Sequence, residues 1–548
     1  MRASLQTLLT LPLLLAGLSL TPACRPADTK NPETWMGRLS ESDAKKRVQA
    51  VQELRKLRAK VAAAPVAELL KDPQVREDAA LALGDIGGPE QVQALLDVID
   101  TAVGAGSDQA ARIANRTNAK IADSLGSIGD ARACPALLRL ARAKDDLVRL
   151  SATQSLGLVR CKESVGELAR IVDDESTPPI VIKKAIVSLG QIGEPAAIPA
   201  LEHALVLERL GVSFLSESSF ALVQIGAPSV EPLLALLDDK DAAWTAWAKE
   251  NNRAVAGTYA KAAIVLGDLG DARAVPALTA RLKYTDSDPL PSTSKLLTNV
   301  VRQFAADALG RLRVKDAAGP IAALVSTKDA TDEDLASFTS NALVFIGDRT
   351  QAKALVKAGS AGAIKPRLAA LQAAALLGEP DLKKELAALV AKERKGKAPE
   401  CAKSVQEMNN APTSEEKGAC DKLADAIAAV AIPLDAAEAC ASAGATCWQQ
   451  KLAAKEPLVR ARAAYELGRL APPAAIADLL KACADGDLSA RLAAIRAVEW
   501  TLGTAAAKDT LRAGAKTLAA QLEAEQGRVQ FMKVNEELKR LQLKISRL

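Results

Sequence analysis

The sequence predicts an all-helical solenoid of paired α-helices that ends in an amphipathic helix. A Leu-Gly-x-Ile/Leu-Gly motif recurs along the chain, and self-similarity at steps of roughly 30 to 45 residues is typical of helical repeats. Apolar residues precede and follow the motif at helical spacing. Aromatic residues make up only 3% of the 548 residues, which suits thin helical layers better than one large core. The clearest copies begin at Leu83, Leu125, Leu189 and Leu266.

The chain begins with a predicted targeting segment. Met1-Arg2 supplies a positive start and residues 5–20 are mostly apolar, so residues 1–23 are predicted to be a signal peptide. The run Leu20-Thr21-Pro22-Ala23-Cys24 resembles the lipobox of bacterial lipoproteins, which implies a diacylated Cys24 and a short tether over residues 24–37. Thr21 stands where that motif usually has Leu, so ordinary signal-peptidase cleavage and a retained membrane anchor stay open. We expect an exported, membrane-anchored protein of the cell envelope, on its periplasmic or outer-membrane face.

Repeats are predicted over residues 38–390 and again over 448–504. In each copy a first helix carries the motif, and its last glycine is expected to stop that helix in the left-handed conformation. A second helix follows, with Pro199 and Pro276 placed early, where a missing N–H matters little. One pair cannot bury both apolar faces alone, so the pairs are expected to stack.

These segments resemble HEAT-like repeats of the phycobilin-lyase type. The shared pattern is Val-Arg, paired Ala, Leu-Gly-x-Ile-Gly and a following Val-Pro-x-Leu. The resemblance implies a right-handed superhelix in which each arginine meets an aspartate from an inter-repeat turn, such as Asp72, Asp145 or Asp146. It does not imply one function, because such repeats serve scaffolds, regulators and a few enzymes. The Val-Arg pairs are Val75-Arg76, Val148-Arg149, Val301-Arg302 and Val459-Arg460.

An insertion over residues 241–258 holds two of the five tryptophans. Trp244 and Trp247 share one side of a predicted helix, with Arg253 nearby. Tryptophan and arginine dominate the energetics of protein interfaces, so these three residues are the predicted partner-binding site. The alternative is that the tryptophans fold down and cover the edge of the solenoid.

Export places the cysteines where disulfides persist. Seven remain after Cys24, so at least one stays unpaired or pairs between chains. Four of them fall in a predicted insertion over residues 391–447 and allow three connectivities, of which the sequential one closes the shortest loops. Zinc is not expected, because no CxxC occurs and His203 is the only histidine. The disulfide candidates are Cys134, Cys161, Cys401, Cys420, Cys440 and Cys447, and Cys483 is expected to be a buried thiol.

Residues 505–548 are predicted to form a terminal amphipathic helix. Phe531, Val534, Leu538, Leu541, Ile545 and Leu548 follow alternating steps of three and four. Capping the last repeat is favoured over a coiled coil, because the seam lasts less than three heptads. The helix tip is basic, so a contact with anionic lipid is a further alternative.

The sequence predicts no catalytic centre, metal site or cofactor. His203 is expected on the surface of a second helix, and a net charge of +5 over the whole chain gives no footprint for nucleic acid. We therefore predict a non-enzymatic scaffold that binds a protein partner. The alternative is an enzyme or chromophore-handling protein related to the HEAT-repeat lyases.

Overall fold

The computed structural model describes residues 28–99, 109–325, 332–411, 417–525 and 532–548. The predicted signal peptide and Cys24 lie outside these ranges, as do part of the tether and Phe531. The chain divides into two compact units, Met1–Ser155 and Leu156–Leu548. The predicted solenoid of HEAT-like helical pairs is confirmed, because almost all described residues are helical and consecutive pairs stack.

The first unit consists of short helical pairs in which α2, α4 and α6 are the stacked first helices. The division between the units falls inside α8, after Ser155. The helices are α1 (Pro32–Met36), α2 (Ala44–Lys56), α3 (Ala63–Glu68), α4 (Arg76–Ile86), α5 (Val92–Asp97), α6 (Gln109–Ile128), α7 (Cys134–Leu140) and α8 (Asp146–Leu158).

The second unit continues the alternation of first and second helices. The helices are α9 (Val165–Asp173), α10 (Pro179–Ile192), α11 (Ile198–Val206), α12 (Leu215–Ile225), α13 (Val230–Leu237), α14 (Ala242–Glu250), α15 (Val255–Leu269), α16 (Val275–Arg281), α17 (Pro291–Arg311), α18 (Ala318–Val325), α19 (Glu333–Ile346), α20 (Ala352–Ala358), α21 (Ile364–Leu377), α22 (Leu382–Arg394), α23 (Ala398–Asn409), α24 (Ala419–Cys440), α25 (Gly444–Lys451), α26 (Pro457–Leu470), α27 (Ile476–Ala482), α28 (Leu488–Thr501), α29 (Lys508–Ala524) and α30 (Met532–Ser546). Its first helices stack in the order α10, α12, α15, α17, α19, α21, α24, α26 and α28.

Short 3-10 turns begin many of the second helices, and one small antiparallel hairpin interrupts the helices after α11. The hairpin pairs β1 (Glu208–Arg209) with β2 (Val212–Ser213). The 3-10 turns are Lys60–Ala62, Leu69–Lys71, Pro89–Gln91, Ala131–Ala133, Lys162–Ser164, Pro195–Ala197, Ala227–Ser229, Ala272–Ala274, Lys315–Ala317, Arg349–Gln351, Pro473–Ala475 and Ala505–Ala507.

The first and the last glycine of the Leu-Gly-x-Ile/Leu-Gly motif have different structural roles. A Cβ built on the first glycine at Gly310 would lie 2.7 Å from Cα of Ala342, so this position allows neighbouring first helices to approach closely. The last glycine stops the helix, and Gly193 and Gly270 adopt the predicted left-handed conformation, with φ of 77° and 73°. Gly87 differs from that expectation, because its φ is −79° and the chain leaves α4 in an extended conformation.

The predicted ladder of arginine and aspartate is present in part. One predicted pair, Arg149 with Asp146, is found at 3.6 Å, whereas other aspartates pair with the first helix of the preceding repeat. Asp72 accepts from Arg47 of the preceding first helix, with Nη2 to Oδ2 at 2.5 Å, rather than from Arg76. Arg460 likewise reaches forward to Asp485 at 2.7 Å. Each first helix is therefore tied to the turn of the next repeat. In two further contacts of this kind an asparagine takes the place of the arginine: Asn115 donates to Asp145 and Asn299 donates to Asp332.

The second unit also curls so that first helices far apart in sequence meet. Arg469 of α26 donates to the carbonyl of Val344 in α19 at 2.6 Å, and Arg349 pairs with Glu466 at 3.0 Å. Phe345 of α19 packs against Tyr465, with ring centroids 6.1 Å apart. The repeats on either side of the cysteine-bearing insertion are thus in direct contact.

The described part of residues 391–447 is more helical than the sequence suggested. The sequential connectivity is present: Cys401 is bonded to Cys420 and Cys440 to Cys447. Cys134 falls in the first unit and Cys161 in the second, and their pairing stays a prediction. Cys483 is a free buried thiol, and burial raises its pKa to about 12.

Within the described residues no single helix is long and apolar enough to cross a membrane. The two helical segments Leu215–Ile225 and Ala227–Leu237 are together long and apolar enough for a membrane span, but the chain bends by 116° between them.

Candidate functional site

The insertion that carries the two tryptophans forms α14, a helix outside the regular pairs. Asp241 is its N-cap and accepts from the backbone N–H of Trp244 at 2.8 Å. Trp244 is 8% exposed and Trp247 is half-buried. Only Trp247 therefore offers a substantial ring surface to a partner, whereas Trp244 fixes α14 to the unit.

Trp247 is held by a stack with the only histidine. The rings of His203 and Trp247 have centroids 4.0 Å apart and planes within 4° of each other, and Trp244 packs against Trp247 at 5.0 Å. His203 Nδ1 lies 3.0 Å from Oδ1 of Asp173 at the end of α9. The sequence placed His203 on an exposed face, and the structure adds that α14 covers one side of its ring.

A buried acid lies beside this stack. Glu202 is 4% exposed, and its Oε1 has no hydrogen-bond partner among the described residues. Burial, together with the nearby charge of Asp241, raises the pKa of Glu202 to about 8. The carboxyl is therefore protonated at neutral pH, which avoids an unpaired buried charge.

Arg253, the third predicted partner residue, lies in the loop between α14 and α15. Its side chain is partly buried, and its Nε has no hydrogen-bond partner in the described part of the chain. Burial lowers the pKa of Lys261; Glu208 of the hairpin opposes this effect and Arg253 adds to it. Glu208 and Arg253 therefore both lie close enough to Lys261 to act on its charge. We call His203, Leu210, Trp247 and Arg253 the edge patch; Leu210, at the hairpin tip, is 91% exposed.

A second candidate site is the surface of α12, α15, α17 and α28 that faces α30, which we call the central groove. The C-terminal helix lies in this groove and turns one apolar side towards it. The predicted seam is confirmed at Val534, Leu538, Leu541 and Ile545, which are each at most 2% exposed, whereas Leu548 at its end is half-buried. Helix α30 contacts α28 and α29, as capping requires, but it also reaches α12.

Charged side chains hold α30 in the groove. Glu537 accepts from Arg496 at 2.8 Å and from Arg311 at 3.2 Å. Arg540 Nε lies 3.0 Å from Asp268, and Lys544 pairs with Glu499. The helix thus presents an acid and two bases to groove residues of opposite charge.

Electrostatics within this network favour the ionised forms of Glu499 and Glu537. Burial alone would raise the pKa of Glu499, but Lys544 and Arg496 outweigh it and lower that pKa to about 2. Arg311 and Arg496 likewise hold the pKa of Glu537 well below its usual range, against the effect of burial. Glu499 and Glu537 are therefore ionised at physiological pH, whereas burial raises the pKa of Asp268 against the opposing effect of Arg311 and Arg540.

Two openings flank α30. One, of about 460 Å³, lies between the ends of α12, α15 and α28 and includes Lys544 and Arg547. The other, of about 320 Å³, lies between Glu537 and the aromatic residues Phe338, Phe345 and Tyr465. Both are clefts open to solvent, so the groove extends beyond the surface that α30 covers.

Sequence reasoning identified the edge patch only in part and did not identify the central groove. Trp244, Trp247 and Arg253 lie together, but His203, Glu202 and the hairpin are brought to them by the fold. Asp268 is the variable residue of a motif copy, and nothing in its local sequence marks it as a partner of Arg540. The one available signal was the seam of residues 534–545, which required an apolar surface to pack on.

Two sequence families match parts of the chain. Residues 32–114, 143–209 and 448–525 match the family described as HEAT repeats. Residues 259–284 match the family described as PBS lyase HEAT-like repeat. No curated protein sequence matches the chain.

Solved structures with similar folds include helical-repeat proteins of several kinds. Human deoxyhypusine hydroxylase shares 20% identity over 54% of this chain and 98% of its own, with a TM-score of 0.21. The CpcE–CpcF phycocyanin lyase complex from Nostoc shares 21% identity over 54% of this chain and 92% of its own, with a TM-score of 0.24. Kap95p, in a structure with RanGDP, shares 13% identity over 90% of this chain and 72% of its own, with a TM-score of 0.42. These likenesses concern the fold alone.

Proposed function

Because this chain is an α-solenoid of HEAT repeats, we propose that it is a non-enzymatic scaffold of the cell envelope, tethered through a lipidated Cys24, that binds a protein partner at the edge patch. The observation that supports the proposal is the stack of Trp247 on His203. A half-exposed aromatic ring that is already fixed in place loses little conformational entropy on binding, which is what interface anchors need.

An exposed apolar residue in a second insertion supports the same proposal. Leu210, at the tip of the hairpin after α11, is 91% exposed. The hairpin departs from the regular repeat. Insertions in solenoids map to loops on one face and often carry the binding function.

Site-specific crosslinking tests the partner site. A photo-reactive phenylalanine analogue replaces Leu210 in the full chain, and a matched control carries it at Leu290, which is 63% exposed. After irradiation of intact cells we expect one discrete protein adduct from position 210 and none from 290. The adduct is expected to disappear when Trp247→Ala is added. Identical adducts from both positions, or no adduct from 210, would contradict the proposed site.

The tether has its own test. Cys24→Ser is expected to move the protein from the detergent phase to the aqueous phase on phase partitioning, because the acyl chains supply the membrane affinity. Cys483→Ser is the control, since that thiol is buried in the second unit. Unchanged partition of Cys24→Ser would mean that something other than the acyl chains holds the protein.

The alternative function, an enzyme or chromophore-handling protein, has one observation in its favour. His203 with Asp173 is the arrangement that orients a general base, and the pKa of neighbouring Glu202 is raised to about 8. Absorbance above 300 nm in the purified protein, lost in His203→Asn, would favour this alternative over the scaffold. A spectrum that shows only tryptophan and tyrosine is expected if the chain is a scaffold.

A further inference from the structure

We propose that the central groove is a binding site for an amphipathic helix of a partner protein, and that α30 occupies it as an intramolecular competitor. The inference rests on the proposed scaffold function and adds a second interaction surface with a defined partner chemistry. The partner helix carries an acid at the place of Glu537 and bases three and seven positions later, on the same side as its apolar residues.

The central groove is lined by charged residues of both signs. The surface beneath α30 carries Asp268, Arg311, Arg496 and Glu499, which have side-chain exposures of 2 to 18% and form ion pairs with α30. Buried ion pairs add little net stability compared with apolar contacts of similar volume, but they select partner and register. A groove built of such pairs therefore recognises a particular helix rather than any apolar one.

Neighbouring repeats also make close contacts that do not involve α30. Helix α15 packs on α17, and α26 packs on α28, through their own apolar residues and the close approach at the motif glycines. A Cβ on Gly468 would lie 2.7 Å from Cα of Ala497, so the stacking of α26 on α28 is already as tight as a helix pair allows. In solenoids stability comes from such neighbour contacts.

The groove also extends beyond α30. Solvent-open clefts of about 460 and 320 Å³ lie beside the helix. Its apolar side is closely packed, and the clefts provide space beside it for a bulkier helix. The smaller opening adjoins Phe338, Phe345 and Tyr465, so a partner helix with a large apolar side chain next to its acid would fill space that α30 leaves empty.

The charge pattern of the groove determines which charges the partner helix must carry. Reading along α30, Glu537 faces Arg311 and Arg496, Arg540 faces Asp268, and Lys544 faces Glu499. An acidic peptide would place negative charge against Asp268 and Glu499, and a wholly basic one would place positive charge against Arg311 and Arg496. Like charges at these distances cost several kcal/mol in an interface.

The test uses a fluorescein-labelled peptide of residues 532–548 and three full-length chains. The first chain is unaltered. The second carries Arg540→Glu and Lys544→Glu, which loosen α30 and leave the groove unchanged. The third carries Lys516→Glu and Lys539→Glu, an equal charge change at two exposed lysines outside the contacts. Fluorescence anisotropy gives the dissociation constant of the peptide for each chain.

We expect the peptide to bind the second chain at least tenfold more tightly than the other two, and a peptide with Glu537→Arg to lose at least tenfold of that affinity. Equal binding to all three chains would place the peptide elsewhere and overturn the proposal. So would failure to bind a second chain that keeps its helical circular dichroism and its thermal midpoint. Loss of cooperative unfolding in the second chain would make α30 an integral part of the core, which also overturns it. The assay needs no cellular partner, so its outcome is independent of crosslinking at the edge patch.

Discussion

Arg540 of α30 forms an ion pair with Asp268 of α15, with the guanidinium Nε 3.0 Å from Oδ2. Asp268 is the variable residue in Leu266-Gly267-Asp268-Leu269-Gly270, so a position of the repeat motif itself binds the C-terminal helix. Asp268 also pairs with Arg311, which in turn contacts Asp307 and Glu537. The motif therefore serves both the stacking of the repeats and the organisation of the central groove.

Arg311→Met is expected to destabilise the second unit strongly. The substitution removes the cation that pairs with the buried carboxylates of Asp268, Asp307 and Glu537. Loss of one partner from a buried ion-pair network lowers the free energy of unfolding by about 3–5 kcal/mol. Urea denaturation followed by circular dichroism measures the change. Arg273→Met is the control, because its pairs with Asp271 and Glu231 are on the surface and little change is expected there. Equal effects of the two substitutions would contradict a special role for the buried network.

Glu202→Gln is expected to stabilise the protein at alkaline pH. The pKa of this carboxyl is about 8 in the folded protein, against an ordinary value of 4.5. The folded state thus binds the proton more tightly, so this group's contribution to stability is complete below pH 4.5 and is lost as the pH rises through 8. At pH 8 and above the amide, which carries no charge, should raise the free energy of unfolding by an amount on the order of a few kcal/mol.

The measurement for Glu202 is the urea midpoint between pH 5 and pH 9. The unaltered chain should lose stability over this range, and Glu202→Gln should lose less. Glu208→Gln on the neighbouring exposed hairpin controls for the removal of one acidic residue. Parallel pH profiles for the two variants would show that Glu202 is not the group responsible.

Trp244→Ala and Trp247→Ala are expected to lower the stability of the protein by different amounts, although both residues are on one helix. Trp244 is buried, so its removal creates a cavity and costs about 3–5 kcal/mol. Trp247 is half-buried, and its loss removes mainly the stacking with His203, worth about 0.5–1.5 kcal/mol beyond the buried area. Thermal denaturation should rank the two variants in that order. The reverse ranking would mean that Trp247 has a structural role and would weaken it as a partner anchor.

Gly468→Ala is expected to cost about 1–3 kcal/mol, because the new Cβ would lie 2.7 Å from Cα of Ala497 and push α26 away from α28. Gly319→Ala, in helix α18, is the matched control. A Cβ there meets no atom within 4 Å, so the substitution should be neutral or stabilising by up to about 1 kcal/mol. Chemical denaturation of each variant measures the change in the free energy of unfolding. Equal changes in the two variants would mean that the loss of a glycine, and not the contact between α26 and α28, causes the effect.

The two disulfides are expected to contribute unequally. The bond from Cys401 to Cys420 closes a loop of 19 residues and that from Cys440 to Cys447 a loop of 7. Loop-closure entropy predicts about 3 kcal/mol for the longer loop and about 2 kcal/mol for the shorter one. Paired Cys→Ser variants, compared by thermal denaturation under oxidising conditions, should follow this order. A larger effect of the shorter loop would indicate that native-state contacts dominate.

The sequence alone predicted the paired helices, the stop at Gly193 and Gly270, and the apolar seam of the terminal helix. These features are local, because a helix, its terminator and its buried side are determined by residues within one or two turns of each other. The same reasoning predicted the arginine–aspartate pairs, and it placed Arg149 beside Asp146 correctly but did not identify Arg47 as the partner of Asp72. Whether Asp72 meets Arg47 or Arg76 depends on how one repeat is rotated against the next.

Only the tertiary structure decided where the terminal helix lies and what surrounds Trp247. The contact of Arg540 with Asp268 and that of Arg469 with Val344 follow from the cumulative rotation of many stacked pairs, to which each repeat adds a small angle. His203 and Trp247 meet because α14 folds back over α11. Sequence periodicity determines which side of each helix is buried. It does not determine which distant helix that side meets, because that depends on the summed geometry of every repeat between them.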